Sequence, residues 1–123
     1  MITVFLLADD VVAGARLRIA LARESGVLLL GESESVMRAL ERVPELSPAV
    51  ILVDLRSPGS DPIGAVRLLR SVCPDGAIVV LDSYLDAEMR SRARAAGATA
   101  LISRLRSVDS ILAEIKRATF HAA

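Results

Sequence analysis

The stretch Ala49-Val50-Ile51-Leu52-Val53-Asp54-Leu55 runs five apolar residues straight into one carboxylate. An unbroken apolar run this short suits a strand buried on both faces, as inside a parallel sheet. Asp54 then stands where that strand leaves the core. In open parallel sheets, ligands bind at the carboxyl ends of the strands. A second run, Val4-Phe5-Leu6-Leu7-Ala8, ends the same way in Asp9-Asp10. Two central strands of one sheet would carry these three acids to one rim. Unpaired carboxylates crowded together are costly, so the arrangement calls for a cation.

The chain has 123 residues, the size of one domain, and is 53% hydrophobic. A domain this long buries roughly two-thirds of its unfolded surface. With two Phe and one Tyr, its core has to be aliphatic. Fifteen basic and fifteen acidic residues cancel, which argues against a dedicated, direct nucleic-acid binder. The single cysteine, Cys73, excludes an internal disulfide and fits a reducing compartment. It reads as a small buried apolar residue. The N-terminal apolar run lacks a basic leader. No stretch approaches the roughly 20 apolar residues that span a bilayer. A soluble, cytoplasmic domain with no membrane partner is expected. Lys116 is the only lysine, a bias of composition before one of function.

Taken in order, the pattern predicts a strand over 2–8 and a helix over 12–23. Val12, Ala15, Ile19 and Ala22 would form the apolar face of that helix. A strand over 27–31 follows, then a helix over 35–43 with Val36, Leu40 and Val43 inward. Pro44 and Pro48 bracket the loop into the Asp54 strand. Residues 56–62 read as a loop by their Pro, Gly and Ser content. Pro62 suits the first turn of a helix running to Val72, with Ala65, Leu68, Leu69 and Val72 inward. Pro74-Asp75-Gly76 is a turn. A strand over 77–81 ends in Asp82. Ser83, with Asp86 three residues on, predicts a capped entry to a helix over 85–96, which Gly97 ends. A strand over 99–102 or 103 precedes a last helix over 107–119. There Val108, Ile111, Leu112, Ile115 and Thr119 point inward, and a frayed tail carries an inert His121. Five strands alternating with five helices favour one doubly wound parallel α/β sheet.

The bland reading of one aspartate is a polar strand end. Three together point to a hard cation such as Mg²⁺, which takes oxygen ligands. An aspartate beside such an ion can act as a nucleophile towards a phosphoryl donor and form an acyl phosphate. The ion would neutralise charge on the transferred group.

The residues that carry a family likeness are Asp9-Asp10, Val53-Asp54-Leu55, Pro58 and the neighbourhood of Asp61. Val79-Val80-Leu81, Ala96-Gly97-Ala98 and the last strand run ending at Arg104 complete the set. Across essentially all 123 residues the chain resembles the receiver domains of two-component response regulators. Gly31-Glu32 and Ser83-Tyr84 place it nearest those fused to helix-turn-helix DNA-binding domains of the NarL/FixJ type. The resemblance implies a CheY-like, flavodoxin-like (βα)5 fold with strand order 2-1-3-4-5. The whole of 1–123 would be one receiver domain. It implies Asp54 as phosphoacceptor, and Asp9, Asp10 and Asp54 as ligands of Mg²⁺. It also implies a histidine kinase or small phosphodonor as partner. Such a domain is a signalling phosphoacceptor rather than an enzyme in the usual sense.

Three positions depart from that family. Asp82 stands where a Thr or Ser hydroxyl usually binds the phosphoryl group. Leu101 replaces a Tyr or Phe that turns inward on activation. Arg104 replaces a lysine and is followed by Leu105 rather than proline. Two unit charges about 5 Å apart interact by roughly 3 kcal/mol at an effective dielectric of about 20. A carboxylate at Asp82 would oppose a phosphoryl group by that order. Arg104 either forks Asp82 and Asp54 or simply stands in for lysine while Asp82 faces solvent. Ser83 is one residue off and should point elsewhere in an extended backbone.

Two functions therefore compete. One is a phosphotransfer receiver acting through Asp54. The alternative is a pseudo-receiver, an interaction or dimerisation module independent of phosphorylation. A homodimer would use the fourth helix, fifth strand and fifth helix, where Leu101 and Leu105 extend an apolar patch. A DNA-binding domain is a further partner if the chain is part of a longer protein. Arg90, Arg92 and Arg94 read as a solvated face. A flavodoxin-like cofactor carrier is disfavoured, because its phosphate loop would have to be Asp9-Asp10-Val11-Val12. Adjacent Asp9 and Asp10 also miss the spacing of an Asp-x-Asp phosphatase.

Overall fold

The computed structural model describes residues 1–83 and 86–122, with side chains given up to 119. The elements alternate strictly: β1 (Ile2–Ala8), α1 (Val11–Arg23), β2 (Val27–Ser33), α2 (Val36–Leu46), β3 (Val50–Asp54), α3 (Pro62–Val72), β4 (Ala77–Asp82), α4 (Ala87–Ala96), β5 (Ala100–Ser103) and α5 (Val108–Ala122). All strand pairs are parallel, in the order β2-β1-β3-β4-β5. This is the doubly wound (βα)5 sheet that the sequence predicts.

The apolar runs are continuous because both faces of each central strand are covered. Side chains alternate between faces along a strand. Phe5, Leu7, Ile51, Val53, Ile78 and Val80 therefore share one layer with Val43 of α2, Val66 and Leu69 of α3 and Ala93 of α4. Their neighbours Val4, Leu6, Val50, Leu52, Val79 and Leu81 form the other layer, with Leu17 and Leu21 of α1 and Ile111 and Ile115 of α5. Each buried aliphatic side chain contributes about 1.5–3 kcal/mol.

Several helix faces differ from expectation. In α1 the buried residues are Ala13, Gly14, Leu17 and Leu21, while Val12 and Ile19 are exposed. The reason is volume. Leu17 and Leu21 bring more apolar surface to the sheet than Ala15 and Ala22 could. In α3, Ile63 and Val66 are buried and Leu68 is half exposed. In α5, Ala118 takes an inward place and Val108 lies outside. That helix runs on to Ala122, so no frayed tail begins at Thr119. The His121 side chain lies outside the description.

Two boundaries also move. α2 continues past Val43 to Leu46, with Pro44 inside its last turn. Proline's fixed φ is helical, and its missing N–H removes a single bond from the turn. Ser47, in the left-handed region at φ 47°, closes the helix by donating its N–H to the Val43 carbonyl. α4 starts at Ala87 with Asp86 as its N-cap, whose carboxylate accepts from the Met89 N–H at 2.7 Å. Ser83 therefore does not cap it. The predicted start at Leu85, and Tyr84 beside it, lie outside the described residues. Asp86→Ala is expected to lower the urea-unfolding free energy by about 1 kcal/mol, with Asp86→Asn nearly neutral.

Arg70 ties the opposite, amino-terminal end of the sheet together. Its guanidinium donates to the carbonyls of Gly97, Cys73, Pro74 and Gly76. Gly97 ends α4 at φ +120°, and a Cβ there would come within 2.8 Å of the Arg70 side chain. Glycine at this position serves both the turn and the close approach.

Candidate functional site

Asp54 is the last residue of β3 and pairs in register with Ala8 of β1. Asp9 follows directly, and its N–H lies 3.4 Å from the Asp54 carbonyl. The sheet thus brings Asp9 and Asp54 side by side at its carboxyl rim. Among the described residues Asp54 is the one charged side chain that is fully buried. A buried carboxylate is tolerated only when paired and hydrogen-bonded.

Its partners are two guanidinium groups. Arg56 reaches back with Nε to both carboxylate oxygens, at 3.2 and 3.0 Å, and with Nη2 to Oδ2 at 2.9 Å. Arg104 places Nη2 3.0 Å from Oδ1. It comes from the turn after β5, where its own N–H donates to the Asp82 carbonyl. Nη2 of Arg104 also donates to the carbonyls of Leu81 and Leu55, and Nη1 to the Ser83 hydroxyl. Its Nε is buried with no hydrogen-bond partner among the described residues.

Arg56 does a second thing. Its backbone N–H donates to Asp9 Oδ1 at 2.7 Å, and the next N–H, of Ser57, also reaches the Asp9 carboxylate. One residue therefore bridges the two acids, through its amide to Asp9 and its guanidinium to Asp54. Asp10 turns to its own helix, where Oδ2 accepts from the Ala13 N–H at 2.8 Å as the N-cap of α1. It lines the open cleft between α1 and α2, together with Gly14, Glu32 and Ser35.

A divalent ion shared by Asp9 and Asp54 would have to displace the Arg56 guanidinium. Both Asp54 oxygens carry guanidinium contacts, and Asp9 and Asp10 accept backbone N–H groups. Among the described residues no three His, Cys, Asp or Glu side chains are grouped to hold a metal.

The other expected residues are placed as follows. Asp82, half-buried, ends β4 and pairs in register with Ser103. Arg104 is on Asp54 itself, the place expected of a lysine substitute. Ser83 corrects the expectation that it points away. The strand has ended at Asp82 and the backbone bends, so alternation no longer applies and the hydroxyl meets Arg104. Leu101 is 8% exposed and packs in the layer of Ala93 and Ala96, so it adds nothing to a surface patch. Leu105 is 83% exposed. Arg90, Arg92 and Arg94 are all exposed, as a solvated face should be. Arg56 escaped the sequence reading. Its signal was position alone, two residues beyond a strand-end acid and so on the same side of an extended backbone.

No family model matches the chain. It is 35% identical over 104 residues to protein-glutamate methylesterase/protein-glutamine glutaminase 5 of Myxococcus xanthus, covering 84% of this chain and 30% of that one. It is 34% identical over 102 residues to the DNA-binding transcriptional activator DevR/DosR of Mycobacterium tuberculosis, covering 83% of this chain and 47% of that one. The chain thus spans less than half the length of either relative. Among solved structures it superposes on the response regulator domain of Thermotoga maritima CheB with a TM-score of 0.86 at 21% identity, over 98% and 97% of the two chains. The signal receiver domain of a modulated diguanylate cyclase from Desulfovibrio desulfuricans G20 gives 0.81 at 25% identity, over 98% and 94%. Among the described residues no helix is long and apolar enough to cross a membrane.

Proposed function

The chain is a receiver domain of the CheY-like response-regulator type, and from that premise we propose that it accepts a phosphoryl group on Asp54 and so controls an output or partner. Receiver domains are phosphoacceptor signalling modules rather than classical enzymes. The observation that carries the reading is the place of Asp54 at the carboxyl end of β3, in register with Ala8, beside Asp9 and in contact with Arg104. In the transfer, an Asp54 oxygen forms a bond to phosphorus as the bond to the donor's leaving atom breaks. That atom, the imidazole nitrogen of a phosphohistidine or the oxygen of a small acyl phosphate, keeps the electron pair. Arg104 is then suited to hold the new oxygens, because a guanidinium can fork an anion that it already touches as a carboxylate. Its unpartnered Nε is a further donor for them. Mg²⁺ serves phosphotransfer in receiver domains generally.

Residues 1–123 would act as one receiver unit. A histidine kinase or small phosphodonor is the upstream partner. A DNA-binding output fits the relatives named as transcriptional regulators. A homodimer would form on the α4–β5–α5 side, where Leu105 and Val108 are exposed.

A second reading, a phosphorylation-independent module, is favoured by the ion pairs on Asp54, by Asp82 in place of a hydroxyl and by the already buried Leu101. One experiment separates the two. The chain is incubated with Mg²⁺ and acetyl phosphate, or with beryllofluoride, and followed by intact mass and amide NMR. An adduct that disappears in Asp54→Asn supports phosphotransfer. An unmodified mass with unmoved shifts near β3 leaves the second reading.

A further inference from the structure

We propose that Arg56 is a built-in cation that keeps divalent ions out of the acidic rim, so that an ion enters only when this guanidinium leaves Asp54. Three observations carry it. Among the described residues, Arg56 alone hydrogen-bonds to both carboxylates, through its amide to Asp9 and its side chain to Asp54. Its fork covers both Asp54 oxygens, so an ion shared by the two acids would have to displace it. Its side chain is 38% exposed, against 14% for Arg104, and its guanidinium has solvent to move into.

The two arginines thus divide the work. Arg104 is anchored by two carbonyls and the Ser83 hydroxyl as well as by Asp54. Among the described residues, the Arg56 guanidinium hydrogen-bonds to Asp54 alone. The competition is between a guanidinium held at effectively fixed concentration and an ion drawn from solution. Removing the tethered competitor raises apparent ion affinity, by the same mass action that governs any pair of exclusive ligands. The proposal concerns ion binding alone and stands apart from whether Asp54 is ever phosphorylated.

The test is a Mg²⁺ titration of the ¹⁵N-labelled chain without any phosphodonor, read from amide shifts at 8–10 and 54–57. Mn²⁺ line broadening serves as a second probe. Arg56→Met and Arg56→Gln are both expected to bind Mg²⁺ at least tenfold more tightly than the wild type. Adding Asp54→Asn to either should abolish the gain. Both variants lie on an exposed loop side chain, and an unchanged amide spectrum before titration verifies the fold. Equal affinity in wild type and variants, or shifts in none of them, overturns the proposal. Failure of acetyl phosphate to modify Asp54 would leave this result untouched, so the two ideas fail separately.

Discussion

Arg104→Met is expected to lower the unfolding free energy by about 2–4 kcal/mol, a fall in melting temperature on the order of 10 °C. Asp54 has no exposed surface, and the Arg104 side chain is 14% exposed. Removing one partner of a buried ion pair leaves a carboxylate without its counter-charge, which typically costs about 3–5 kcal/mol. Arg56 stays on the carboxylate and offsets part of that. Methionine keeps most of the apolar stem, so the change reports the charge and its bonds to Leu55 and Leu81 rather than a cavity. Coupling should be visible in a double-mutant cycle. Asp54→Asn combined with Arg104→Met should lose less than the sum of the single changes. Urea unfolding of the four proteins measures it. Additive losses would mean that Arg104 acts through its carbonyl contacts and leaves Asp54 to Arg56.

Arg70→Ala should cost a similar amount, about 2–4 kcal/mol, at the far end of the sheet from the acids. Bonds from a charged donor contribute about 1.5–3 kcal/mol each when buried. Arg70 makes five of them to four carbonyls, but it is half-buried and the Pro74 carbonyl can turn to water. The total is therefore well under the sum. Arg70→Lys should recover less than half. A single ammonium cannot span the Gly97 carbonyl after α4 and the Gly76 carbonyl before β4 together. Circular-dichroism melts and urea curves decide between these outcomes. Full rescue by lysine would show that only the charge matters.

The sheet was legible because parallel strands buried on both faces leave an unmistakable mark. Val50 to Val53, Val4 to Ala8 and Ala77 to Leu81 carry no polar interruption. Helix faces were less legible. In α1 two apolar stripes compete, and the larger apolar volume that Leu17 and Leu21 bring to the sheet decides between them. That choice is made only when β1 and α1 are assembled. At the site, strand ends located Asp54, Asp9 and Arg104. Arg56 was missed because a guanidinium reaches its partner through several rotatable bonds from a loop. The same loop chain could have faced solvent. Ser83 was misjudged because alternation was carried one residue beyond the strand that enforces it.

The thin seating of α4 has a thermodynamic corollary. Its buried side chains are Ala93 and Ala96, with Met89 only partly covered. A methyl group contributes about 0.8 kcal/mol where a leucine gives two or three times that. Glu88, Arg90, Arg92 and Arg94 have nothing to lose by leaving. This helix can therefore lift away from β5 at a small fraction of the domain's stability, while the two leucines of α1 and the isoleucines of α5 keep the sheet whole. Of the helices, α4 alone buries no side chain larger than alanine.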